Sequence, residues 1–104
     1  METTQETEQT SDENLDIYRY PVHIGHKIHQ KLYDSIGQRG LKYAGGWDNE
    51  DNKIIILHLN DCTISGDLNT PRKEYYITII NEDPNKRNAV RETLDQILGR
   101  HLIK

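Results

Sequence analysis

The chain has 104 residues and a formal net charge of -4 at pH 7; only 34% of it is hydrophobic, its mean hydropathy is -0.87, and it has no Phe. That length allows one domain with a modest core built mainly from Ile, Leu and six Tyr. No apolar run approaches the roughly 18 residues of a membrane span, the acidic start is unlike the basic opening of a signal peptide, and the single Cys62 excludes an internal disulfide, so a cytoplasmic location is expected.

Charge is unevenly placed. Residues 1–16 hold Glu2, Glu6, Glu8, Asp12, Glu13 and Asp16 with no base, which leaves the remainder mildly basic. Between Met1 and Asn14 nothing is aliphatic, so residues 1–16 are expected to be a disordered acidic leader, either a solubilising tail or a competitor for a basic surface. Residues 17–104 then form a single α+β domain.

Ile17, Tyr18, Arg19 and Tyr20 alternate up to Pro21, which confines this segment to an edge strand or an extended lead-in. Ile24, Ile28, Leu32 and Ile36 recur at helical spacing, predicting a first helix over about residues 25–38. In the next strand Tyr43 and Trp47 share one parity, and Gly45-Gly46 points to a bulge. Asp48 to Asn52 is a turn. Residues 53–60 are apolar on both faces and read as an interior strand around which the others are arranged, with residues 62–65 extending it past a bend at Asn60-Asp61. Residues 66–71 turn the chain into a last strand over 73–80. Asp83-Pro84 opens a second helix, whose stripe of Val90, Leu94, Ile97 and Leu98 runs to about His101. The order is β-α-β-β-β-α: a small antiparallel sheet with both helices on one face, because each helix has a single apolar stripe.

Few residues point to chemistry. His23-Ile24-Gly25-His26, between an extended segment and a helix, resembles the HIGH tetrapeptide of class I aminoacyl-tRNA synthetases and related nucleotidyltransferases. That resemblance implies histidines at ATP phosphates on a parallel sheet, whereas antiparallel strands are expected here. His23, His26 and His29, spaced by three, lack a Cys or carboxylate at matching spacing, so neither a metal nor a cofactor is expected. His58 reads as a packed histidine. Cys62 follows Asp61, which disfavours a thiolate. With no nucleophile beside a base and no paired carboxylates, the chain is not expected to be an enzyme.

Binding is the better class. Lys86, Arg87 and Arg91 open the second helix, where cations oppose the helix dipole; they call for local acidic partners or for a bound anion, which Arg72 and Lys73 would join. The order of helix, strands and helix is similar to that of the double-stranded RNA-binding domain. The resemblance implies phosphate contacts by Lys86 and Arg87, although its groove-entering turn is here the acidic Asp48, Asn49, Glu50 and Asp51. The leading expectation is a non-catalytic protein-binding module, an adaptor, inhibitor or accessory subunit. It would act through a sheet face or edge populated by Tyr18, Tyr20, Tyr43, Trp47, Tyr75 and Tyr76, and a homodimer would be one form of it. The alternative is an RNA- or DNA-binding domain using Arg72, Lys73, Lys86, Arg87 and Arg91.

Overall fold

The elements run β1 (Glu8–Ser11), β2 (Leu15–Pro21), α1 (Val22–Ser35), β3 (Lys42–Asp48), β4 (Asn52–Leu59), β5 (Cys62–Asn69), β6 (Glu74–Ile80) and α2 (Pro84–Leu98). They come from a computed structural model that describes the backbone of residues 8–11 and all of residues 14–38 and 41–99. The α+β class holds, as does the succession of strand, helix, antiparallel strands and helix. All strand pairs are antiparallel, in the order β1-β2-β6-β5-β4-β3. Both helices contact β2, β6 and β5 and each other.

Two strands go beyond the expected set. Residues 62–65 do not prolong β4 past a bend. They begin β5, which returns along β4 through a two-residue turn at Asn60 and Asp61 with φ of 53° and 65°. Both residues tolerate the left-handed region, and two such residues in succession are what a tight hairpin turn requires. As a result Gly66 to Asn69 lie within β5, and the next turn falls at residues 70–73, where Lys73 is left-handed.

The other addition lies in the expected leader. Residues 8–11 pair along β2 through main-chain bonds, and Leu15 and Asp16 belong to β2 itself. Edge pairing of backbone needs no apolar side chain, which is why composition conceals it. Residues 1–7, 12 and 13 lie outside the described residues, as does the expected end of the second helix at His101.

Side chains of alternate residues on β2, β6, β5 and β4 meet the helices. Tyr18, Tyr20, Tyr75, Ile77, Ile79, Ile64, Leu68, Ile55 and Leu57 are buried there with Ile28 and Leu32 of α1 and Val90, Leu94 and Leu98 of α2. Tyrosine does the work of the missing phenylalanine. Tyr75 is the hub: a Cβ at Gly25 would stand 2.3 Å from its Cβ and one at Gly66 2.4 Å from its hydroxyl, so helix and neighbouring strand approach it only because both positions are glycine. α1 starts at Val22, earlier than expected, because the Val22 amide bonds the Lys73 carbonyl at the head of β6. α2 opens with the Asp83 carboxylate accepting from the Asn85 amide and closes on left-handed Gly99.

Candidate functional site

Once the helices have taken one face of the sheet, the opposite face carries no covering element among the described residues. Register arranges it in rows across the strands. Leu15, Ile80, Thr63, His58 and Lys42 form one row; Ile17, Thr78, Ser65, Ile56 and Gly45 the next; Arg19, Tyr76, Asp67, Ile54 and Trp47 the third; and Pro21, Glu74, Asn69 and Asn52 the last. This face is apolar at several points, with Ile80 41% and Trp47 50% exposed and Leu15, Ile17, Ile54, Ile56 and Tyr76 partly buried. β5 through its middle presents Thr63, Ser65, Asp67 and Asn69.

The third row holds the most specific chemistry. The Arg19 guanidinium lies 5.8 Å from the centre of the Tyr76 ring, and the Tyr76 hydroxyl donates to the Glu74 carboxylate. Beside them the Asp67 Oδ1 is buried without a hydrogen-bond partner, and burial raises the carboxyl pKa above its usual value.

The expected aromatic surface is divided by the fold. Tyr18, Tyr20 and Tyr75 lie in the core under the helices, so they are not part of any exposed surface; burial pushes the Tyr18 hydroxyl pKa up to about 12 and raises those of Tyr20 and Tyr75 as well. Alternation along β2 and β6 allowed either face, and the helices chose the parity that buries these rings. Tyr76 and Trp47 are on the open face. Tyr43 is not, because a bulge between Tyr43 and Gly45 shifts the register: Tyr43 pairs with Leu57 on the helix side, whereas Trp47 pairs with Ile54 on the other. Tyr43 instead joins Tyr33, His29, Asp48 and Lys53 around a cleft of about 450 Å³ between α1 and β3. There His29 Nδ1 lies 3.0 Å from the Tyr75 hydroxyl, with the two rings edge to face, and burial lowers the imidazole pKa.

The basic residues are dispersed. Arg87 is 5% exposed; its Nε lies 3.3 Å from Asp16 Oδ2, and it donates to the Asn81 carbonyl at 2.6 Å, so this cation ties α2 to β2 inside the protein. Lys86 pairs with Asp61 at 3.1 Å, and Arg91 bonds Asn88 and approaches Glu92. Arg72 and Lys73 sit at the head of β6, while α2 begins beyond its other end, about 25 Å away along the strand. The five cations do not share a surface; those of α2 have the local partners that the helix dipole called for. Asp16, the partner of Arg87, was hidden among the leader's acids.

His23 and His26 are exposed in the first turns of α1, and Gly25 between them is spent on packing against Tyr75, on an antiparallel sheet. No cluster of three metal-ligating side chains occurs among the described residues. Cys62 is fully buried and its thiol pKa is raised by burial, the reverse of an activated nucleophile. No described helix is long and apolar enough to cross a membrane. No protein-family description matches the chain, and no curated protein shows significant similarity to it.

Proposed function

We infer that the chain is a non-catalytic protein-binding module, an adaptor, inhibitor or accessory subunit, whose contact surface is the open face of the sheet. One observation carries this reading: a full sheet face with Ile17, Ile54, Ile56, Ile80, Tyr76 and Trp47 along its rows has no covering element among the described residues. An apolar area of that extent rimmed by polar side chains marks a surface that another molecule covers. The edge strand β3 is less suited, because its bulge disrupts the ladder that an added strand would need. The lone buried thiol suits a reducing cytoplasm. Nucleic-acid binding, the other expectation, has less support, because Arg87 is buried and Arg72 and Lys73 lie at the opposite end of β6 from Lys86 and Arg91.

The test is photo-cross-linking in cells with a photoreactive residue placed at Ser65, in the middle of the open face, or at Lys27 on the exposed side of α1. Adducts from position 65 and none from position 27 are expected. Adducts from position 27 alone would refute the reading.

A further inference from the structure

On the helix side of the sheet, both helices pack mainly over β2, β6 and β5, so β3 runs on beyond α1 and forms a ledge beside it. The cleft of about 450 Å³ lies on that ledge, within the roughly 300–1,000 Å³ of small-molecule sites. We propose that it binds a free α-amino acid with an aromatic or aliphatic side chain, held as the zwitterion. This site is on the opposite side of the sheet from the contact surface, and neither needs the other.

Three features of the cleft select that ligand. The first is charge. Asp48 and Lys53 are exposed and directly opposite each other in the register of β3 and β4, where side chains start about 5 Å apart. Yet the two form no ion pair, and neither side chain has a hydrogen-bond partner among the described residues. A carboxylate and an ammonium thus stand side by side with their hydrogen-bonding capacity unused. The second is His29. The Tyr75 hydroxyl is buried, and burial holds its pKa well above the ordinary value, so it keeps its proton; His29 Nδ1, 3.0 Å away, is the acceptor it needs. That bond leaves the imidazole hydrogen on Nε2, and burial, with Lys53 nearby, favours the neutral ring. The third is the aromatic lining. A Cβ at Gly46 would stand 2.6 Å from the Tyr43 hydroxyl, so the Tyr43 side chain extends along β3 over bare backbone. It is 51% exposed, and Tyr33 on the α1 wall is 59% exposed. Exposed tyrosine rings offer a face to an ammonium and to an apolar side chain alike.

The lining therefore holds one cation, one anion and a neutral imidazole donor. A phosphate would meet a lysine with a carboxylate beside it, and a simple amine would meet the same pair, so a ligand of one sign gains little net attraction. An α-amino acid carries both charges on one carbon. Its ammonium goes to Asp48 and the tyrosine face, its carboxylate to Lys53 and the Nε2 hydrogen of His29, and its side chain against Tyr33 and Tyr43.

The experiment is two-dimensional amide NMR of the full chain at neutral pH, titrated with L-phenylalanine and with L-leucine to about 20 mM, which reaches weak millimolar binding. Saturable shifts centred on His29, Tyr33, Gly46 and Lys53 are expected with at least one of the two. The amide of that amino acid lacks the carboxylate and its N-acetyl form lacks the ammonium; each should bind at least about 10-fold more weakly, the loss of one charge-assisted contact. Lys53→Gln and Asp48→Asn, both at exposed positions, should each weaken the free amino acid by a similar factor. Lys27→Gln, exposed on α1 outside the cleft, should leave binding unchanged. Far-UV circular dichroism confirms folding of each variant, and adenosine monophosphate serves as a phosphate-bearing competitor for the same rings. No saturable shift with either amino acid, capped forms that bind as tightly as the free one, indifference to both Lys53→Gln and Asp48→Asn, or tighter binding of adenosine monophosphate would each overturn the proposal. Adducts from position 65 are unaffected by any of these results, so the cleft and the open face fail separately.

Discussion

Replacing Asp16 by Ala isolates the least expected feature of the fold, a buried ion pair between a strand that reads as an acidic leader and the first turns of α2. The Arg87 and Asp16 side chains are 6% and 13% exposed, with Nε and Oδ2 3.3 Å apart. Deleting the carboxylate leaves a guanidinium in the interior, a change that typically costs 3–5 kcal/mol. Arg87 keeps its bond to the Asn81 carbonyl, so the lower end applies, about 3 kcal/mol. In a domain of this size each kcal/mol lowers Tm by about 4–8 °C, so a fall of roughly 12–24 °C is expected. The assay is urea and thermal unfolding followed by far-UV circular dichroism. The double variant Asp16→Asn with Arg87→Met should recover much of the loss, because no charge then remains buried without a partner. A cost of Asp16→Ala below about 1 kcal/mol would refute the pair's role, since that is the range of exposed surface pairs.

Other perturbations follow from the same packing. Gly25→Ala places a methyl 2.3 Å from Tyr75 Cβ and should destabilise by about 2 kcal/mol or more in chemical denaturation, despite the better helix propensity of Ala. His29 has a lowered pKa in the fold, so the unfolded chain takes up its proton first as pH falls below about 6.5; stability should decline there, and His29→Gln should flatten that part of the curve. Asp67 behaves oppositely: its raised carboxyl pKa means stability present at low pH is lost as pH rises past about 4 through the folded value, so Asp67→Asn should raise stability at pH 7 by about 1 kcal/mol in the uncovered chain. Asp61→Gly relieves a left-handed residue in the β4–β5 turn and should gain a few tenths of a kcal/mol net, since the Lys86 pair it removes is exposed.

The parts of the fold legible in the sequence are those set by periodicity and capping: the stripes of both helices, the Asp83-Pro84 start, and the strands 53–60 and 73–80. The turn at Asn60-Asp61 was hidden because the pair lacks the glycine that usually announces a tight hairpin. β1 and the start of β2 were hidden because pairing of backbone leaves no mark on composition. Which parity of β2 and β6 would face the helices was undetermined, since Tyr18 and Tyr20 alternate with Ile17 and Arg19, and Tyr75 and Ile77 with Tyr76 and Thr78, leaving both faces half apolar. That ambiguity corresponds to the open face, which is apolar at several points although no described element covers it. The Gly45-Gly46 bulge was visible, but not its consequence of separating Tyr43 from Trp47.

The central claim, that the open face is the contact surface, is tested most directly by isoleucine methyl spectra of the concentrated full chain with a soluble paramagnetic agent, repeated on dilution. The account predicts that Ile17, Ile54, Ile56 and Ile80 become shielded where the contact forms, on concentration or on adding a protein that the chain captures in cells, while Ile28, Ile55, Ile64, Ile77 and Ile79 stay shielded throughout. Open-face methyls that remain fully accessible at every concentration, and in the presence of any protein that the chain captures in cells, would contradict it.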